Sequence, residues 1–214
     1  AAGASFHLGA QVTAVEIGRD GEHFVHYQSE GEERSLAAHH VWSTIPITML
    51  ARLLQPSPPV TCLQAVENID YRAMILVYLV LEQDRFSEYD AHYFPERQIP
   101  ITRLSEQKNY RGGEGPAGRT VLCAELPCSL ADVVWQMSDE ALGQLVCEAL
   151  AEAAIPLRTP VAQVVTRRLR HAYPIYTKGY EVHFDLLDAW IGQIDGLLTF
   201  GRQGLFAHDN THHA

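Results

Sequence analysis

The chain has 214 residues, of which 47% are apolar and 20% charged. That is enough length and apolar content for a sizeable core, and it excludes a disordered chain. Sixteen basic residues against 26 acidic ones leave a formal charge of −10, which excludes the basic surface that nucleic acid or an anionic membrane requires. The longest apolar run, residues 73–81, is of strand length and far short of the roughly 20 residues of a membrane span.

Cys62, Cys123, Cys128 and Cys147 form no CxxC pair. Their spacing fits no zinc set, and scattered thiols in a chain this long point to a reducing, cytoplasmic compartment. No basic stretch followed by an apolar one opens the chain, so no signal peptide is visible. The sequence begins at Ala1 and ends at Ala214, just after what reads as a helix start. Both ends look cut, and a fragment is expected.

The first segment is β-rich. Residues 11–17 alternate in polarity, Asp20-Gly21 marks a turn, residues 23–28 form a second strand, 29–33 a polar turn and 35–43 a third strand. Thr44-Ile45-Pro46 ends it, since proline has no backbone donor. Residues 47–54 have helical apolar spacing. The cluster Gln55-Pro56-Ser57-Pro58-Pro59 is the best boundary candidate.

Residues 60–66 read as a short helix. Residues 73–81 read as a strand buried on both faces. Shorter strands are expected at 92–95, 101–104 and 120–126, with a glycine-rich loop over 111–118. Ser138 is a good N-cap, with Asp139 and Glu140 suiting the first turn of the helix that follows. Residues 161–170 form a strand with a basic polar face of Arg167, Arg168 and Arg170. Residues 180–194 form a helix with Val182, Leu186, Leu187, Trp190 and Ile194 on one side, and 197–200 a last strand.

Several motifs invite chemistry. The literal GxGxxG at residues 113–118 has no strand before it and no helix after it, so it is read as a surface turn and not a dinucleotide site. Among 11 histidines, His208, His212 and His213 lie close together beside Asp209, but no closed set of three or four ligands is completed, and no metal site is expected. Tyr173, Tyr176 and Tyr180 are read first as core packing with hydroxyls at the rim, and second as one wall of a ligand pocket. Gly201-Arg202-Gln203-Gly204 follows an apolar strand; glycines there permit close backbone approach, and the arginine can neutralise a phosphate or carboxylate.

The order of these pieces resembles the superfamily of FAD-dependent amine oxidases, protoporphyrinogen oxidases, phytoene desaturases and UDP-galactopyranose mutases. Leu8-Gly9-Ala10-Gln11-Val12 resembles the family strand beside the adenine end of FAD. Val41-Trp42-Ser43-Thr44-Ile45-Pro46 resembles its exit from the FAD domain, and residues 201–210 its C-terminal flavin motif "GR-x-G-x-x-x-Y-x-N". His208 stands where relatives usually carry Tyr, and Thr211-His212 where they often carry Met-Asp. The strand, GxGxxG turn and helix with which relatives begin are not in this sequence.

The resemblance implies a mixed α/β fold: a partial FAD-binding domain plus a substrate domain whose mixed sheet is flanked by helices. It places FAD-domain strands at 1–54, the substrate-binding domain at 55–195, and a return strand with the flavin motif at 196–214. It implies FAD as cofactor of the complete protein, with Val12, Thr44, Pro46, Gly201, Arg202, Gly204, Asn210, Thr211 and His212 on the flavin side and Tyr173, Tyr176 and Tyr180 toward a small-molecule substrate. No catalytic acid or base is named, because the flavin carries the chemistry. Three functions stay open. The first is an FAD-dependent oxidoreductase taking hydride from a C–N or C–C bond. The second is a mutase-like flavoenzyme of sugar-nucleotide metabolism with no net redox change, in which the basic strand could face a diphosphate. The third is a non-catalytic binding module. Neither nucleic acid nor a membrane span is expected; self-association through exposed sheet edges is.

Overall fold

The computed structural model describes residues 3–113 and 115–209. They form two compact units: 1–70 with 173–214, and 71–172. The sequence suggests breaks at the proline cluster and at residue 195, whereas the contacts divide the chain at 71 and 173. The division falls there because the helices on either side of that span, Val60–Val66 and Tyr180–Ile191, pack on each other.

Unit 1 opens with a meander, β1 (Gln11–Glu16), β2 (His23–Ser29) and β3 (Glu32–Ala38), to which β5 (Leu54–Gln55) adds in parallel on the free edge of β1. The turn between β2 and β3 is shorter than expected, just Glu30 and Gly31, both at positive φ (54° and 82°). That mirror-image geometry matches the twist of a two-residue hairpin. The expected third strand is two strands, β3 and β4 (Val41–Ser43), broken at residues 39–40. β4 instead pairs in parallel with β11 (Leu197–Thr199), in a separate two-stranded sheet. His23, almost fully buried, holds this strand pair: its Nε2 donates to the Asp195 carbonyl at 2.9 Å. Gly196 follows at φ 76°, where a Cβ would sit 2.5 Å from the His39 carbonyl oxygen. Helices α1 (Ile47–Leu53), α2 (Val60–Val66) and α5 (Tyr180–Ile191) pack on one another, and α1 also on β1. In α5 the buried residues are Leu187 and Ile191. Val182 and Leu186, expected inside, face solvent.

Unit 2 is built on one sheet in the order β10–β6–β9–β8–β7: β6 (Asp70–Leu81), β7 (Ala91–Tyr93), β8 (Arg103–Glu106), β9 (Thr120–Cys128) and β10 (Val161–Ile175), the last running on past residue 173 into unit 1. One face, including Ile75, Val77, Leu79, Leu81, Leu104 and Leu122, buries against α4 (Asp139–Glu152) through Leu142, Val146 and Leu150. At about 25 cal/mol per Å² this burial is the main stabilising term of the unit. Ser138 caps α4 as expected, accepting from the Ala141 N–H at 3.3 Å. Gly143 lets the helix approach β10, since a Cβ there would stand 2.6 Å from Val164 Cγ2. A short helix, α3 (Gln107–Tyr110), precedes the glycine-rich loop, and strand β9 follows it. Among the described residues no helix starts between those glycines and β9.

Two expectations for this unit change. β6 is fully buried on one face only; Leu76, Tyr78 and Val80 on the other are half-buried. The three arginines of β10 do not share a face, because neighbours along a strand alternate. Arg168 is already committed, donating to the Trp135 and Met137 carbonyls and to Thr166 Oγ1. Among the described residues no helix is long and apolar enough to cross a membrane.

Candidate functional site

The residues that gather are in unit 1, at the carboxyl ends of β4 and β11. Open α/β sheets place ligands there because the loops that leave parallel strands converge at that edge. Thr44 follows β4. Phe200 and Gly201 follow β11, and the Phe200 N–H donates to the Ser43 carbonyl at 3.1 Å. Gly201 takes φ 77°, and its nearest neighbour on the Cβ side is Thr44, 3.9 Å away. Gly204 is needed for space: a Cβ there would stand 3.3 Å from the Ser43 carbonyl oxygen. The segment between them is a single helical turn, α6 (Gly201–Gly204). Phe206 then turns left-handed at φ 49°, so the helix expected to start near 206 does not form over the described residues.

Arg202, on α6, lays its guanidinium over the Tyr173 ring, 5.2 Å from the centroid. On that ring's other contacts, His208 meets it edge-on at 4.7 Å. Arg202 Nε is buried and, among the described residues, has no hydrogen-bond partner. A buried donor without a partner costs about 1–3 kcal/mol, so an acceptor placed at this nitrogen would stabilise the fold.

Tyr176 is placed differently. Its hydroxyl donates to the Phe206 carbonyl at 3.2 Å and accepts from the His208 N–H at 2.8 Å. Its ring packs on Tyr180 (4.8 Å) and Phe206 (5.7 Å), and Phe206 also meets Tyr180 and Phe184. Burial, with Glu181 next, pushes the Tyr180 hydroxyl above its usual value. Tyr176 and Tyr180 therefore hold the 206–208 segment, while Tyr173 faces Arg202. Phe184, which completes this aromatic group, was not singled out in the sequence; its spacing of four from Tyr180 was the available signal.

The other expected positions are spread out. Pro46 is the N-cap of α1, its carbonyl accepting from the Met49 and Leu50 N–H groups. Val12 lies on β1, opposite Tyr27, where the register shifts between residues 12 and 14. Asn210, Thr211 and His212 lie outside the described residues. Among the described residues no three His, Cys, Asp or Glu side chains are grouped to hold a metal ion.

Parallel strands ending in a glycine–arginine turn place these residues at the sheet edge where open α/β proteins hold ligands. The profile described as flavin containing amine oxidoreductase matches residues 1–187, and the chain belongs to that family. FAD is accordingly the cofactor of the complete protein. No curated protein sequence matches the chain. Among solved structures it is similar to reduced UDP-galactopyranose mutase, with a TM-score of 0.77 at 16% identity, covering 98% of this chain and 45% of that one. It is similar to a putative protoporphyrinogen oxidase from Exiguobacterium sp. 255-15 (TM-score 0.62, 21% identity, 91% of this chain, 42% of that one). It is also similar to a putrescine oxidase triple mutant (0.59, 15%, 89% and 42%). At these identities the likeness is one of fold, and the chain spans less than half the length of each neighbour.

The residues present fit part of such a cofactor. Arg202 Nε is an unmet donor, and the Gly201 side of the turn is open to within 3.9 Å of Thr44. The glycines at 113–118 do not form a diphosphate cradle, for want of a helix after them.

Proposed function

We propose that this chain is part of an FAD-dependent oxidoreductase, with unit 1 contributing to the flavin-binding domain and unit 2 forming the substrate domain. The observation that carries this is the buried, unpartnered Arg202 Nε beside Gly201 and Thr44, at the carboxyl ends of the parallel strands.

In this reading Arg202, Thr44, Gly201 and Gly204 meet the flavin side, and Pro46 sets the course of the chain leaving β4. Val12 lies toward the adenine end; Asn210, Thr211 and His212, outside the described residues, are kept as flavin-side candidates by the family resemblance alone. Tyr173 and His208 line the approach of a small-molecule substrate; Tyr176 and Tyr180 hold the backbone that carries His208. When bound, FAD supplies the two-electron chemistry; the chain orients the substrate and excludes water. The compartment is cytoplasmic, in keeping with four unpaired thiols.

Replacing Arg202 by Ala in the complete protein should raise the FAD dissociation constant by about tenfold or more, the loss of one charge-assisted bond. Unchanged affinity, measured by flavin fluorescence quenching, would overturn the assignment.

A second reading has support from the larger overlap with UDP-galactopyranose mutase than with the two oxidases. The complete protein would then interconvert a sugar nucleotide with no net redox change. Turnover of UDP-galactopyranose without an electron acceptor favours it; acceptor-dependent oxidation of an amine or porphyrinogen favours the first. In either case the apolar faces of unit 1 promote self-association, and sedimentation of a Trp42→Ser, Leu198→Ser variant should show less of it.

A further inference from the structure

We propose that the Arg103–Glu125 ion pair, on the face of the unit 2 sheet turned away from α4, is a binding site for a small zwitterion that carries an ammonium and a carboxylate on one carbon and an apolar side chain. The site lies within unit 2 and is independent of the flavin reading.

Strand register builds it. Tyr93 on β7 stands opposite Arg103 on β8, Arg103 opposite Glu125 on β9, and Glu125 opposite Leu76 on β6. Directly opposed residues share a face, so these four form one row across the sheet. Ile75 and Val77, the sequence neighbours of Leu76, belong to the core under α4, and the row therefore points the other way. Less polar pairs flank it. On one side Met74 stands opposite Pro127. On the other Tyr78 stands opposite Cys123 and bonds to its thiol. The glycine-rich loop is remote from the row. It joins the sheet at Thr120, five residues along β9 from Glu125, or about 17 Å at the rise of an extended strand. Likewise α3 leaves from the far end of β8 from Arg103.

Arg103 donates to Glu125 Oε1, and Tyr93 is a second side-chain partner of the guanidinium. Glu125 is mostly buried and Arg103 partly exposed. An ion pair so placed gains little over apolar side chains of similar size, because both charges lose water. Packing of the sheet does not require it. Neither charge is used up. Among the described residues Arg103 is the one side chain bonded to the Glu125 carboxylate, which can accept further donors. Arg103 Nε has no acceptor among the described residues. An unmet donor and spare acceptor capacity thus lie side by side.

The presence of both signs selects the ligand. A simple anion drawn to Arg103 meets the Glu125 charge, and a simple cation drawn to Glu125 meets that of Arg103. A molecule with both charges on neighbouring atoms avoids either repulsion. Its carboxylate lies on the guanidinium and its ammonium on the carboxylate, and charge-assisted bonds of this kind are the strong ones. The half-buried Leu76 and the exposed Tyr93 ring supply apolar surface in the same row. An α-amino acid with an apolar side chain has this chemistry.

The test uses L-phenylalanine against phenethylamine, which lacks the carboxylate, and 3-phenylpropionate, which lacks the ammonium. Calorimetry and ligand-observed NMR on the 214-residue chain should show L-phenylalanine binding about tenfold or more tightly than either. An Arg103→Met, Glu125→Leu variant replaces the pair by apolar side chains. It should lose that preference while its urea midpoint holds or rises. Three probes bound alike, no binding of L-phenylalanine, or a preference that survives in the folded double variant would overturn the proposal. The three-probe comparison needs no variant, so it decides the matter even where the double variant fails to fold.

Discussion

In unit 2 nearly every large apolar residue of one sheet face and of α4 is fully buried, and its most buried carboxylate is fully matched. Glu106, 2% exposed, is the clearest case: its carboxylate accepts from the Phe86 and Ser87 N–H groups, from Thr120 Oγ1 and from Asn109 Nδ2. In unit 1 the two-stranded parallel sheet leaves Trp42 71% and Leu198 51% exposed, although they are cross-strand neighbours, and α5 leaves Val182 69% exposed. Parallel sheets are ordinarily covered on both faces, and a large exposed apolar patch marks an interaction surface. The difference teaches that unit 2 buries its core among its own residues, whereas unit 1 presents apolar strand and helix faces for further packing, with the candidate site at one end of its parallel strands. Each unit also leaves one buried arginine Nε without a partner among the described residues, Arg202 in unit 1 and Arg103 in unit 2.

The comparison can be broken from the side of unit 2 first. Glu106→Gln leaves buried N–H and O–H donors facing an amide, and should cost about 3 kcal/mol. Urea unfolding followed by far-UV circular dichroism should show that loss in one transition while a second, from unit 1, holds its midpoint. Coincident shifts of both would show that the units unfold as one. Gly196→Ala strikes unit 1, placing a methyl against the His39 carbonyl and the His23 ring at a positive φ. It should cost about 2 kcal/mol in the other transition. Smaller again is Tyr176→Phe. It removes the hydroxyl shared by the Phe206 carbonyl and the His208 N–H, for about 1 kcal/mol, and should speed hydrogen exchange at the His208 amide.

The smallest effect is one of pH, and it falls on both units. Burial pushes the thiols of Cys62, Cys123, Cys128 and Cys147 above their ordinary value of 9.0. The folded state therefore holds these protons more tightly than the unfolded state. The associated stability is complete below about pH 9 and is lost as pH rises beyond it. Iodoacetamide should accordingly label the native chain more slowly than the urea-unfolded chain at pH 8.5, and equal rates would show that the thiols are not shielded.

Much of this was legible in the residues. The Ser138 cap with its apolar repeat located α4, and the alternation over residues 11–28 located β1 and β2, because both depend on side chains close in sequence. The glycine–arginine turn was legible for the same reason: it is a local device at a strand end. What the arginine touches was not. Its stacking on Tyr173 joins positions 29 residues apart, and the Tyr176 hydroxyl reaches 32 residues to His208. The membership of α5 in unit 1 was equally hidden, since its partner α2 lies more than a hundred residues earlier.

The sequence by itself determined the local elements, the acidic, globular character and the family resemblance, because composition, periodicity and short motifs are properties of neighbouring residues. Only the tertiary structure decided which face of β6 would be buried, which strand would pair with β4, and which of three tyrosines would meet Arg202. Those outcomes turn on burial and hydrogen bonding between segments far apart in the chain. Val80 and Val77 read alike in the sequence and differ only in that α4 covers one side of the sheet and the loop after α3 arches over the other.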